Sequence, residues 1–284
     1  MPRAFVELPA GAAGIFIFLN PPGSRQVVFP VFYFPGARLL PILQKEIITC
    51  RRCPRLTEYT ARIAQVKRRA YRDWEYWGRP VPSFGDPAAA VLILGLAPGA
   101  HGSNRTGRMF TGDRSGDILY RVLYRAGFAS QASSGGRDDG LTLTGAYITA
   151  VCHCAPPANK PLPEEIRNCR PYFERELDLL PSLKVVVALG KIAFDNYLDI
   201  LKSRGVIRSR APFVFGHDRQ FITAPGQPVL VSSYHPSQQN TSTGKLNEKM
   251  LLAVFRRARK LAAATPVSGN RGVYSAKEKE IAPK

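Results

Sequence analysis

The chain has 284 residues, 45% of them hydrophobic; 40 lysines and arginines against 21 acidic residues give a net charge of +19 and a pI near 10.1. That is enough for one core of about 200 residues plus tails, and no apolar run reaches the roughly 18 residues of a spanning helix. The charge favours a polyanionic partner over small-metabolite chemistry, and five cysteines without a secretion signal argue against a disulfide framework and for metal ligation in a soluble, cytoplasmic protein.

Residues 1–36 are rich in proline, glycine and aromatics without a period of 2 or 3.6, so a poorly ordered extension is expected there. From Leu39 the spacing turns helical and heavily basic, which predicts two helices flanking Cys50-Arg51-Arg52-Cys53-Pro54. A proline-rich loop over 78–87 leads into a first strand at 91–96, a β-branched run too short for a helix and bounded by Gly95, Pro98 and Gly99. The small residues of 97–107 let backbone approach a ligand closely with its amides exposed. This loop is neither GxGxxG nor GxxxxGK[ST], so it supports no dinucleotide or nucleoside triphosphate site. A helix over 115–127 turns Ile118, Leu119, Val122 and Leu123 inward.

After a polar loop over 127–141, a second strand at 146–151 breaks at Cys152-His153-Cys154 and runs on to Pro157, Asn159 and Lys160. A helix over 163–180 contains Cys169, with Pro163, Glu164 and Glu165 suiting its first turn. A third strand spans 184–190, a helix 191–202, a loop or hairpin 205–228 and a fourth strand 229–233, ending in Tyr234-His235-Pro236-Ser237. A basic helix over 245–263 precedes a loose tail, 264–284. Four strands alternating with helices predict one domain over 37–263: a three-layer α/β/α sandwich with a central, mostly parallel four-stranded sheet. Each glycine- or proline-rich break then follows a strand, at the sheet edge where such folds bind ligands.

Cys50 and Cys53 form a CxxC, and Cys154 and Cys169 lie 15 apart. Paired ligands from distant segments suit a tetrahedral thiolate site, structural zinc or an iron-sulfur cluster, and spacing does not separate the two. A redox CxxC fits less well because this one does not end a sheet strand; unrelated buried thiols are the bland alternative. Cys152 competes with Cys154 for the third position and, lying nearer the strand, reads as core.

Four segments, GLAPGAHGSNRTGRMFTGD, YITAVCHCAPPANKPLPEEIRNC, VVALGKIAF and SYHPSQQN, occur in an order that resembles the uracil-DNA glycosylase superfamily, in particular its family-5, or type B, iron-sulfur members. The resemblance runs from about Leu39 to Leu261. It implies a structural [4Fe-4S] cluster held by Cys50, Cys53, Cys154 and Cys169. It also implies a monomeric enzyme that flips uracil, or by analogy hypoxanthine or another deaminated base, out of DNA and hydrolyses its bond to deoxyribose.

Carried over motif by motif, the backbone of Ala97, Pro98 and Gly99 forms the pocket, Phe110 stacks on the base and Asn159 contacts its edge. His235 aims a donor at the pyrimidine oxygen that gains charge as the bond breaks. Ser237, with Pro236, touches the DNA backbone and minor groove, with residues 238–240 near the strand being opened, and Arg105, Arg108 and Lys160 are expected on phosphates.

One departure concerns water. Many superfamily members carry an acid or asparagine in the first motif, where Ala100 and His101 stand here, as in family 5. Asp113 is the candidate to stabilise the cation-like sugar or orient water, and equally a candidate helix N-cap; His101 and Asn104 have weaker grounds. No lysine nucleophile sits in the motifs, so an abasic product without strand cleavage is expected. A non-catalytic damaged-DNA-binding module is the alternative; a zinc hydrolase lacks any HExxH or HxE…PCxxC pattern.

Overall fold

The computed structural model describes residues 35–264, with side chains from Arg38 onward. The expected extension and tail therefore fall almost wholly outside the described residues. The sheet is built from β1 (Phe84–Gly85), β2 (Val91–Gly95), β3 (Ala146–Ala150), β4 (Val185–Leu189), β5 (Arg219–Phe221) and β6 (Val229–Ser233), in the order β1-β3-β2-β4-β6-β5. The middle four are parallel and are the four the sequence predicts. The expected four-stranded sheet is widened by antiparallel strands at both edges. These escape a pattern reading because β1 has two residues in a proline-rich loop and β5 is two exposed polar residues and a half-buried phenylalanine in the region expected as loop or hairpin.

Every residue of β2, β3 and β4 is buried, as near-continuous apolar runs must be when helices cover both faces. The helices are α1 (Pro35–Ile48), α2 (Pro54–Val66), α3 (Ser103–Thr106), α4 (Arg114–Arg125), α5 (Pro163–Leu179), α6 (Lys191–Ser203), α7 (Gln238–Ser242) and α8 (Glu248–Ala264). Strand alternation deals Val91, Ile93, Ile148, Val187 and Val231 to one face, where Leu119 and Leu123 of α4 and Leu251 and Phe255 of α8 cover them. Leu92, Leu94, Val186 and Leu230 go to the other face, under Phe173 and Leu177 of α5 and Phe194 and Leu198 of α6. Beyond α5, α1 packs Leu43 and Ile47 on Tyr172. None of the described helices is long and apolar enough to cross a membrane.

The chain goes from β2 to β3 on one side, then crosses over to β4 on the other. The crevice at the carboxyl ends of β2 and β4 is therefore a topological switch point, which is where open α/β sheets bind ligands.

Candidate active site

A cavity of about 710 Å³ opens at those strand ends. Its walls come from Gly95 at the end of β2 and Ala97 after it, Ala150 at the end of β3, the stretch from Met109 into the start of α4 at Ser115, and His235 and Ser237 after β6. Ala97 and Gly99 line it, whereas Pro98 is buried and is not part of the wall. Asn159 reaches the cavity from an exposed turn, where it and Ala158 adopt left-handed backbone. Lys160 is exposed beside it.

Phe110 sits on a loop braced from within. Its φ of +53° is unusual for a residue with a side chain and marks a conformation that the surroundings must impose. The Tyr120 hydroxyl donates to the Met109 carbonyl at 2.8 Å, Thr106 donates to the Thr111 carbonyl at 3.0 Å, and Arg105 donates to the carbonyls of His101 and Gly112 at 2.9 and 2.8 Å. Gly95 leaves room for the ring, since a Cβ there would stand 2.8 Å from it.

Arg105 and Arg108 are therefore misplaced as phosphate contacts. They are only 5% and 2% exposed, and protein groups accept from Nε and Nη2 of Arg105 and from all three nitrogens of Arg108. Arg108 binds Asp139 through both nitrogens at 2.8 and 2.6 Å, as well as Ser134 and Thr111. Burial alone would raise the Asp139 carboxyl. Arg108 and the amides of Leu141, Gly135 and Gly136 outweigh it and hold the group well below the usual carboxylate range. Polar residues in a glycine-rich loop read as solvent-facing; here they form the buried frame that presents Phe110.

Opposite, His235 lies with its ring centroid 5.8 Å from that of Phe110, the planes 30° apart. Asn240 donates to the His235 carbonyl at 2.8 Å and fixes the turn after β6, while Ser237 caps α7 by accepting from the Asn240 amide. Burial lowers the His235 pKa to about 4, so the ring is neutral at pH 7 and carries one N–H donor.

Asp113 is the N-cap of α4, its Oδ1 accepting from the Gly116 amide, and its Oδ2 faces Gly99 and Gly102 in the cavity wall. A Cβ on Gly102 would stand 2.3 Å from that oxygen, so glycine is needed for the carboxylate to enter the cavity wall. His101 lines the wall, accepting or donating with the Tyr76 hydroxyl at 3.2 Å. Asn104 instead turns inward and donates to the Thr60 and Ala100 carbonyls. Sequence reading missed Arg68, Tyr71 and Arg114 in the cavity wall; the first two belong to the basic, aromatic run after α2.

Residues 82–259 match the family model described as the uracil DNA glycosylase superfamily. The chain belongs to that superfamily. Among its relatives are proteins named type-5 uracil-DNA glycosylase. That of Thermus thermophilus is 50% identical over 76% of this chain and 95% of its own, and that of Mycobacterium bovis 47% identical over 80% and 83%. That of Pyrobaculum aerophilum is 43% identical over 75% and 88%.

In this superfamily member the cysteines gather beside α5, on the sheet face that it covers. Cys50 and Cys53 between α1 and α2, Cys154 after β3 and Cys169 in α5 line one small cavity, together with Cys152. Arg55 grips Glu165 through two 2.7 Å bonds, which pins α2 to the start of α5. Cys152 is 1% exposed in the core, and its interaction with Cys169 lowers the Cys169 thiol from its ordinary range. Burial raises the Cys154 thiol. His153 bonds the Val81 carbonyl through Nδ1 at 2.8 Å and leaves its buried Nε2 without a protein partner in the same wall. Among the described residues no three His, Cys, Asp or Glu side chains converge as a single-ion site.

Proposed function

We propose that this chain excises uracil from DNA by hydrolysing the N-glycosidic bond and leaves an abasic site. The carrying observation is one switch-point cavity that joins the paired Phe110 and His235 rings with the Asp113 carboxylate, in a chain 50% identical to a type-5 uracil-DNA glycosylase. The flipped base rests on Phe110 with Asn159 at its edge. As the N1–C1′ bond breaks, its electron pair goes to the base, and the neutral His235 N–H donates to the pyrimidine oxygen that gains charge. The sugar turns cation-like, and Asp113, the one carboxylate among the described residues of this wall, supplies opposing charge. Water adds its oxygen to C1′ and gives up a proton, the uracil anion takes one up, and neutral uracil and an abasic site result. No lysine lines the cavity among the described residues, which supports a product whose strand is left uncut.

An end-labelled oligonucleotide with one deoxyuridine, treated with the protein and then alkali, tests this reading. Breakage at the uracil only after alkali is expected. Tight binding without base release would favour the damaged-DNA-binding module, and breakage without alkali would refute the monofunctional chemistry.

Cys50, Cys53, Cys154 and Cys169 would hold a [4Fe-4S] cluster, which the all-thiolate set and their shared cavity support. When bound it supplies a cross-link of α1, α2 and α5 to the end of β3. Purified protein is expected to contain iron and sulfide and to absorb visible light. Cys50→Ser and Cys154→Ser should lose that absorbance and unfold at lower temperature, and Cys152→Ser should keep it. One zinc per chain with no visible absorbance would overturn the cluster.

The exposed phosphate contacts are Arg68, Arg114 and Lys160 rather than the two buried arginines. Replacing Arg68 by alanine should reduce the slope of log Kd against log salt by about 1. Arg108→Ala should leave that slope alone and remove about 3 kcal/mol of stability in chemical denaturation, because it deletes the buried bonds to Asp139, Ser134 and Thr111 together. A flattened salt dependence in Arg108→Ala would return that residue to the DNA surface.

A further inference from the structure

The linker between α2 and β1 is dense in cations and rings: Lys67, Arg68, Arg69, Tyr71, Arg72, Trp74, Tyr76, Trp77 and Arg79 fall within thirteen residues. The chemistry above uses only its first turn. The Arg105 guanidinium is sandwiched between the rings of Tyr71 and Trp74, at 3.9 and 4.0 Å from their centroids. The two rings meet edge to face with centroids 6.5 Å apart. Tyr71 lines the active-site cavity on one side of this stack. On the other side Trp74 lines a second, more open cavity of about 570 Å³, walled also by Trp77, Arg79 and Arg137.

The two tryptophans differ. Trp77 is tied down, donating to the Pro80 carbonyl at 2.9 Å under the guanidinium groups of Arg79 and Arg137, at 3.9 and 4.7 Å. Trp74 is 41% exposed and held from behind by Arg105. A large ring fixed from one side and open on the other is a stacking platform for a nucleobase. A phosphate suits this cavity poorly, because Glu75, Asp138 and Asp139 balance the three arginines in its wall. Outside it, Arg68, Arg69 and Arg72 are exposed along the linker, with Asp73 among them, and offer the cationic track a backbone needs.

We propose that the second cavity is a nucleotide subsite: it takes the base next to the flipped one, unstacked from its other neighbour and laid on Trp74, with the backbone along the linker arginines. This rests on the glycosylase reading and deepens it. The short step from Tyr71 to Trp74 allows adjacent nucleotides of one opened strand to occupy the two cavities.

Single-stranded oligonucleotides with one deoxyuridine test the subsite when the 5′ or the 3′ neighbour is replaced by an abasic tetrahydrofuran analogue. In the wild-type protein, removing the base on one side should lower kcat/KM about tenfold, and removing the other should do much less. Trp74→Leu, which keeps an apolar cover over Arg105, should show that loss on the intact oligonucleotide and lose nothing more when the neighbour is missing. No loss on either side in the wild type, or equal losses in wild type and variant, would overturn the subsite. The change on the DNA needs no mutant, so an unfolded variant cannot imitate the result. Failure of the glycosylase reading looks different: intact oligonucleotide releases no uracil. Quenching of tryptophan fluorescence by undamaged oligothymidylate, seen in wild type and absent in Trp74→Leu, would then still uphold base binding at Trp74, and its absence would overturn it.

Discussion

His235→Ala is expected to lower kcat on a uracil-containing oligonucleotide by about 10²–10³-fold, with KM little changed. On the proposed mechanism the donor acts only as charge builds on the departing base, so its removal would touch the transition state and leave ground-state binding intact. Single-turnover rates on saturating enzyme read this directly, and a variant within about threefold of wild type would remove His235 from the chemistry. The pH profile carries the same argument. Burial lowers the folded-state pKa of His235 from 6.5 to about 4, so the donor stays neutral through neutrality and its acid limb should lie near 4 rather than near 6.5. The sign for stability follows: a depressed histidine favours the folded state fully above pH 6.5, and that contribution drains away as pH falls toward 4. Burial also lowers His101 and His217, so acid unfolding should steepen below pH 6.5.

Gly116→Ala should be among the most damaging small substitutions in the chain. A Cβ at this position would stand 1.7 Å from the Phe110 carbonyl oxygen and 2.6 Å from its carbon, so backbone must move. Either the Phe110 loop shifts and the stacking ring leaves its place, or the first turn of α4 shifts and breaks the 3.0 Å bond from the Gly116 amide to Asp113. The cap alone is worth about 1 kcal/mol, and a loss of about 3 kcal/mol or more in total is expected, together with a large fall in kcat/KM. Gly136→Ala is the control, since nothing lies within 4 Å of its would-be Cβ. Denaturation midpoints and uracil release in which the two variants behave alike would show that the Phe110 loop tolerates displacement.

The four parallel strands and their helices were legible because buried parallel strands leave unbroken apolar runs such as Val185–Leu189, and because polar or turn-forming residues close each one. The edge strands were not, since Arg219–Phe221 draws its strand geometry from pairing with β6 rather than from its own residues. His235 could be placed from the sequence, because a motif directly after a parallel strand has one possible edge to occupy. Arg105 and Arg108 could not: side-chain charge predicts solvent, and only the folded loop reveals the carbonyls and the Asp139 carboxylate that draw them inside. The geometry of Asp113 was equally hidden: the sequence offers either a catalytic carboxylate or an N-cap, and only the fold shows the capping carboxylate also facing Gly99 and Gly102. Glu176 gave no signal at all. It is fully buried beneath β3, accepting from Thr149, Tyr147 and Gln44, three positions far from it in sequence.

The cysteine cavity closes with Tyr172, whereas the catalytic cavity waits for His235 and Gln239. A protein is made from its amino end at about 5–20 residues per second, and its parts emerge in that order. Every thiol is therefore out of the ribosome before the last central strand exists, and the strand that completes the sheet beside β4 is the one that delivers the histidine. Birth order thus separates the two sites: a chain terminated before β6 carries every thiol while still lacking His235.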